Sequence, residues 1–141
     1  MSERAHRGWY KHDQVPHFDC AGLYQTITYR LNDSLPRSVW EPIERELRKM
    51  PGSQTRLESL RRQRIQARLD AGFGSCILSY RSNAERVMDS WRHFDGHRYR
   101  LVLGVVMPNH VHVLVRIDEG TRLGELISAW KSYTARRFEV P

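Results

Sequence analysis

Gly104–Arg116 reads GVVMPNHVHVLVR, and the fold turns on how this stretch is read. Ahead of Pro108 runs an unbroken apolar segment, Leu101 to Met107, short and rich in β-branched residues as a buried strand is. Beyond Asn109, His110 and His112 alternate with Val111, Val113 and Val115. Pro108-Asn109 is turn chemistry, because proline presets φ and asparagine tolerates a tight bend. The two runs therefore predict an antiparallel hairpin. The two-residue period of a strand puts both histidines on one face and turns the valines the other way, toward a core.

Two neutral imidazoles side by side are a natural pair of ligands for a divalent metal, with a third ligand brought from elsewhere in the chain. The same spacing also suits a half-exposed polar strand face, so the dipeptide alone leaves both readings open. Two nitrogens are a poor cage for Mg²⁺, which prefers oxygen and keeps its water, so Mn²⁺ is expected to bind better.

Working outward, 141 residues suit one domain able to bury its own core. Residues 1–20 are polar, with His6, His12 and His17 among Trp9, Tyr10 and Phe18, and read as an N-terminal arm. Such an arm either lies on DNA or packs along the domain as an extended terminus. Leu23 to Leu31 alternates as a strand, and Asn32-Asp33-Ser34 ends it. A helix follows from Pro36 to Met50, and a second from Thr55 to Ala71. Within the latter, Arg61, Arg64 and Arg68 fall at i, i+3 and i+7, a basic stripe suited either to a phosphate backbone or to a solvated face. After the short apolar segment Phe73 to Tyr80, Ser82 or Asn83 is expected to cap a third helix carrying Trp91 and Phe94 inward. Thr121 is expected to cap a fourth that ends near Phe138, with Leu123, Leu126, Ile127, Trp130 and Thr134 as its apolar face. Tyr133 lies on the edge of that face, and Arg122, Lys131, Arg136 and Arg137 are left for the polar side, facing DNA. The order strand, helices, strand, strand, helix is that of an α+β ferredoxin-like antiparallel sheet, which would end on one more strand.

The formal charge of +7 is carried by 20 arginines and 3 lysines. Such a charge attracts phosphate polyanions, and the arginine fork grips phosphate with two parallel bonds, so nucleic acid is favoured over small neutral substrates. Cys20 and Cys76 are the only cysteines, at no metal-ligand spacing, which argues against a disulfide framework or a zinc knuckle. The start, Met1-Ser2-Glu3-Arg4, lacks an apolar leader and no stretch approaches membrane-spanning length, so the cytoplasm is the expected location. A histidine-triad nucleotide hydrolase is excluded, since its pattern needs a third histidine where Leu114 stands.

The string MPNHVHVLV, with HFDGHRYRL upstream at His93–Leu101 and WKSYTAR downstream at Trp130–Arg136, resembles the REP-associated tyrosine transposases. These are relatives of the IS200-like transposases in the HUH nuclease superfamily. RGWY, PHFD and YQTITYRLNDSLP, between Arg7 and Pro36, resemble the opening of the same family, and 51–72 reads as an insertion within a domain spanning 21–141. The resemblance implies an enzyme assisted by Mg²⁺ or Mn²⁺ that cuts and rejoins single-stranded DNA at palindromic hairpins. It also implies metal ligation by His110 and His112, and a nucleophilic tyrosine on a Tyr-Ile-x-x-Asn-Pro-like helix after a last strand. No such segment occurs before Pro141, which leaves Tyr133 as the only tyrosine beyond the histidines and makes a hairpin-binding protein without catalysis the alternative. A sheet short of its last strand exposes an edge, which invites pairing with a second copy of the chain.

Overall fold

The computed structural model describes residues 8–12, 15–19 and 22–140, with side chains from residue 22 onward. Its centre is a three-stranded antiparallel sheet in the order β3 (Tyr24–Arg30), β5 (His110–Ile117), β4 (Tyr99–Val106). The hairpin expected around Pro108-Asn109 joins β4 to β5, with Val106 opposite Val111 and Val105 opposite His112. The helices are α1 (Arg37–Lys49), α2 (Gln54–Asp70), α3 (Arg81–His93) and α4 (Leu123–Ala135), with a short 3-10 turn at Ile77–Ser79. This is the expected α+β, ferredoxin-like arrangement. Gly8–His12 and Val15–Asp19 form a separate antiparallel hairpin, β1 and β2, within the stretch read as an N-terminal arm. The side chains of that arm lie outside the described residues.

Alternation along β5 creates two different surfaces. Val111, Val113, Val115 and Ile117 are fully buried against α3 and α4, together with Ile27, Trp91, Tyr99, Leu126, Ile127 and Trp130. Both tryptophans satisfy their N–H groups inside this core. Trp91 Nε1 donates to the Tyr29 hydroxyl at 3.0 Å, and Trp130 Nε1 donates to the Tyr99 hydroxyl at 3.0 Å. The Tyr99 hydroxyl in turn donates to the carbonyl of Trp91. Burial pushes the Tyr99 hydroxyl up to about 12, so it remains a donor at any ordinary pH.

A second, smaller core lies between α1 and α2, built from Leu35, Ile43, Leu47, Ile65 and Leu69. The pair is tied to the sheet through loops. Asp33, after β3, accepts the backbone N–H of Ser75 at 2.8 Å, and a Cβ at Gly74 would lie 2.7 Å from the Asp33 carbonyl oxygen. Gly74 also has φ +92°, a conformation that glycine adopts without steric cost.

Two expected caps are corrected. Neither α3 nor α4 begins with a side-chain cap, and they start at Arg81 and Leu123. Asn83 is instead buried within α3, its Nδ2 donating to the carbonyls of Ile77 and Glu139, both at 2.9 Å, while its Oδ1 accepts the N–H of Glu139 at 2.8 Å. Fastening the segment after α4 takes the polar atoms that a local cap would have used.

On β4, Gly104 passes so close to α3 that an added Cβ would lie 2.3 Å from Cζ3 of Trp91, an atom with no room to retreat in a close-packed core. Gly104→Ala is therefore expected to destabilise the chain by ~1–3 kcal/mol, as overpacked cores do. Urea denaturation measures this directly, and an unchanged midpoint would show that the indole swings aside without cost.

Candidate metal centre

The face of the sheet opposite the valines carries His110, His112, Leu114 and Arg116 on β5, flanked by Thr28 and Arg30 on β3 and by Val105 and Leu103 on β4. At one end of this face α2 leans over the histidines. The His110 and His112 rings stand edge to face, with centroids 4.9 Å apart. His110 Nε2 lies 3.2 Å and His112 Nε2 3.3 Å from one atom, Nε2 of Gln66 on α2. Asp70, one turn further along α2, places Oδ1 2.8 Å from that same atom and 3.4 Å from His110 Nε2.

Each ring is held from behind. His110 Nδ1 lies 2.8 Å from Oδ1 of Asn109, whose Nδ2 donates to the carbonyl of Phe73 at 3.1 Å. His112 Nδ1 lies 2.8 Å from the Thr28 hydroxyl. Asn109 uses its amide NH₂ on Phe73, so its oxygen faces His110 and the ring proton sits on Nδ1. With its Nδ1–H engaged in this way, His110 keeps the lone pair of Nε2 free to accept or to ligate, which is how metal-binding histidines are oriented. His110 is 1% exposed and His112 half-buried. Burial lowers the pKa of both below the ordinary 6.5; for His110 the neighbouring His112 adds to the depression, and Asp70 opposes it at both rings. Two neutral imidazoles at neutral pH are the form that a metal requires.

Among the described residues no three of His, Cys, Asp and Glu gather as a metal-holding group. The convergence point here is lined by two imidazoles and a carboxamide, with the Asp70 carboxylate at its rim, so the donors present fit a divalent ion that accepts nitrogen and oxygen together.

The other residues expected at the site are distributed differently. Arg61 turns to α1 and makes a bidentate pair with Glu44, at 2.7 and 3.0 Å, plus a bond to Glu58. Arg64 pairs with Glu46. The expected basic stripe is therefore largely absorbed in fastening α1 to α2, and Arg68 is its exposed member. Tyr133 lies on α4, on the valine side of the sheet, its ring 5.6 Å from that of His93 and 3.9 Å from the Arg137 guanidinium. Lys131, on the same helix, sits 5.8 Å from the ring of Tyr29 on β3, Arg122 directly precedes α4, and Arg136 is exposed beyond its end. Neither His110 nor His112 hydrogen-bonds or stacks with any described tyrosine.

The sequence reading missed Gln66, Asp70, Asn109 and Thr28 as site residues, and it missed Arg100 and Arg116, which face one another on the histidine side of the sheet. The i, i+4 spacing of Gln66 and Asp70 marks one helical face, but nothing local says which strand that face meets. Arg116 lies 6.0 Å from the ring of Tyr24, itself 60% exposed, so cation and aromatic surface stand together on the open part of this face.

The model of the family described as Transposase IS200 like matches residues 81–140, which run from the start of α3 through the histidine strand and beyond α4. No curated protein and no solved structure matches the chain. The matched segment is similar to these transposases and supports a transposase-like function with DNA as partner; α1 and α2 lie outside it. No helix among the described residues is long and apolar enough to cross a membrane.

Because both histidine pKa values are lowered on folding, the unfolded chain binds protons more readily than the folded one as pH falls below 6.5. The melting temperature is thus expected to be highest above about pH 6.5 and to drop as pH falls through the folded pKa values, with the double change His110→Gln, His112→Gln flattening that dependence. A wild-type melting temperature that is level from pH 8 to 5 would mean both rings are solvated as in the unfolded chain.

Proposed function

We propose that the chain acts on single-stranded DNA folded into palindromic, REP-type hairpins, as a metal-assisted transposase-like protein of the HUH type. The observation that carries the reading is the pairing of His110 and His112 with both Nε2 atoms aimed at one point, within a segment similar to the IS200-like transposases. His110 and His112 would hold Mg²⁺ or Mn²⁺, which would supply positive charge opposite the negative charge that develops on a scissile phosphate. Asn109 keeps His110 in the ligating tautomer, and Asn109 and Thr28 hold the two rings in orientation. Arg100 and Arg116 hold the phosphates of a strand laid along the open face, and Tyr24 offers a ring on which a base stacks. Arg68, Arg122, Lys131, Arg136 and Arg137 extend the basic surface on other sides of the domain.

Cleavage and rejoining through a tyrosine is the catalytic part of this proposal, and the alternative is a hairpin-binding module that does not cut. A specific observation favours the alternative for the residues described: α4 holds Tyr133 across the sheet from the histidines, engaged with His93 and Arg137. A second copy pairing along the outer edge of β3 or β4 belongs to the same proposal, and sedimentation of the free chain as a dimer is its test.

Fluorescence anisotropy at fixed salt is expected to show tighter binding to a hairpin oligonucleotide than to random duplex, with affinity falling steeply as salt rises because bound counterions are released. Equal affinity for both would remove the hairpin from the reading. Incubating the labelled hairpin with chain and Mn²⁺ separates enzyme from binding module. A nicked strand, with a covalent adduct on a denaturing gel, identifies the enzyme, and its loss on Tyr133→Phe would assign the nucleophile to Tyr133 after all.

A further inference from the structure

The atom on which the histidines converge is over-subscribed. Nε2 of Gln66 carries two hydrogens, yet three atoms able to accept surround it: Asp70 Oδ1 at 2.8 Å, His110 Nε2 at 3.2 Å and His112 Nε2 at 3.3 Å. What the three share is a lone pair directed at a centre of positive charge, and an amide N–H pair satisfies only two of them. A divalent cation satisfies all of them, and the carboxamide that yields the position carries an oxygen able to ligate when the amide turns over.

We propose that Gln66 and Asp70, both on α2, are metal ligands of this chain and complete the set begun by His110 and His112. The proposal rests on the reading above that the two histidines hold a divalent ion. It adds that the remaining ligands come from the helix pair inserted between β3 and α3, outside the segment that matches the transposase family. One carboxylate oxygen and one carboxamide oxygen beside two imidazole nitrogens make a mixed set that suits Mn²⁺ better than Mg²⁺.

The placement of α2 is built to hold this geometry. Ile65 and Leu69, interleaved with Gln66 and Asp70 along the helix, are buried against α1, which fixes the rotation of α2 about its axis. The loop that leaves α2 is fastened to the start of β5 at two points. Asn109 Nδ2 donates to the Phe73 carbonyl at 3.1 Å, and the Leu78 N–H donates to the Pro108 carbonyl at 3.1 Å. Asn109 thus binds the loop with one end of its amide and orients His110 with the other, so the α2 ligands and the β5 ligands are set against each other by one side chain. Asp70 is half exposed, which gives an ion and its water a way in.

Isothermal titration with Mn²⁺, paired with the electron paramagnetic resonance spectrum of the bound ion, tests this on the full chain without DNA. The unaltered chain is expected to bind one Mn²⁺. His110→Ala with His112→Ala should abolish binding, while Gln66→Ala and Asp70→Ala should each weaken it by about tenfold or more. Gln66→Glu should tighten it, because a carboxylate replaces a neutral amide at almost the same volume; since that change removes no atoms, its direction reads the proposal even if the truncations lower the melting temperature. Full Mn²⁺ affinity in both α2 alanine variants, with binding lost only in the double histidine variant, would overturn the proposal and leave the histidine reading standing. Binding that survives loss of both histidines, or no binding by the unaltered chain, would overturn the histidine reading and this proposal with it.

Discussion

Because β5 is the middle strand, both of its faces are committed, and the two-residue period assigns them opposite chemistry. The odd-numbered residues from Val111 to Ile117 are buried in the main core against α3 and α4. The even-numbered ones face the other way, where α2 reaches over the His110 end. A slip of one residue in register would bury two imidazoles among tryptophans and expose four aliphatic side chains, so the core and the site enforce each other's register. The closeness of Gly104 to Trp91 is part of the same arrangement: α3 lies tightly on the sheet and leaves no freedom for β4 to shift.

Asn109 connects this strand to the helix pair. Its position in the turn suits asparagine's tolerance of bends, but its burial, at 1% exposed, has a further cause. A buried carboxamide needs its donor and acceptor ends satisfied, and here the two partners belong to different parts of the fold: His110 in the site and Phe73 in the loop after α2. The result is that α1 and α2, which have a core of their own, do not drift relative to the histidines. A helix pair with a separate core would otherwise be held only by its connecting loops.

Charge is distributed less simply than composition suggests. A net +7 favours phosphate partners, but Arg61 and Arg64, the most regular basic spacing in the chain, are taken up by glutamates of α1 and α2. A guanidinium engaged by two carboxylates at half-buried distance is a fastener between helices rather than a free phosphate clamp. Two of the arginines that share a face with the histidines, Arg100 and Arg116, come from strands in which each appears as an ordinary polar position. Their significance lies in cross-strand pairing, which places them opposite one another.

The sequence by itself determined the elements whose signals are local. The hairpin at Pro108-Asn109, the split of β5 into histidine and valine faces, the helix that carries Trp130, and the α+β class all follow from turn chemistry and from periods of two and 3.6 residues. It also brought His110 and His112 together, because residues two apart on a strand are neighbours whatever the rest of the chain does. Tertiary structure alone decided what stands opposite them. Gln66 and Asp70 are separated from the histidines by some forty residues, and no periodicity within α2 states which strand its polar face meets. Asn83 was misjudged for the same reason, and the partner of Arg61 was hidden by it: each had a plausible local role, as cap or as phosphate contact. Distant partners, Glu139 and Glu44, took up their polar atoms instead, since a buried donor or acceptor is satisfied by whichever group the fold brings within reach.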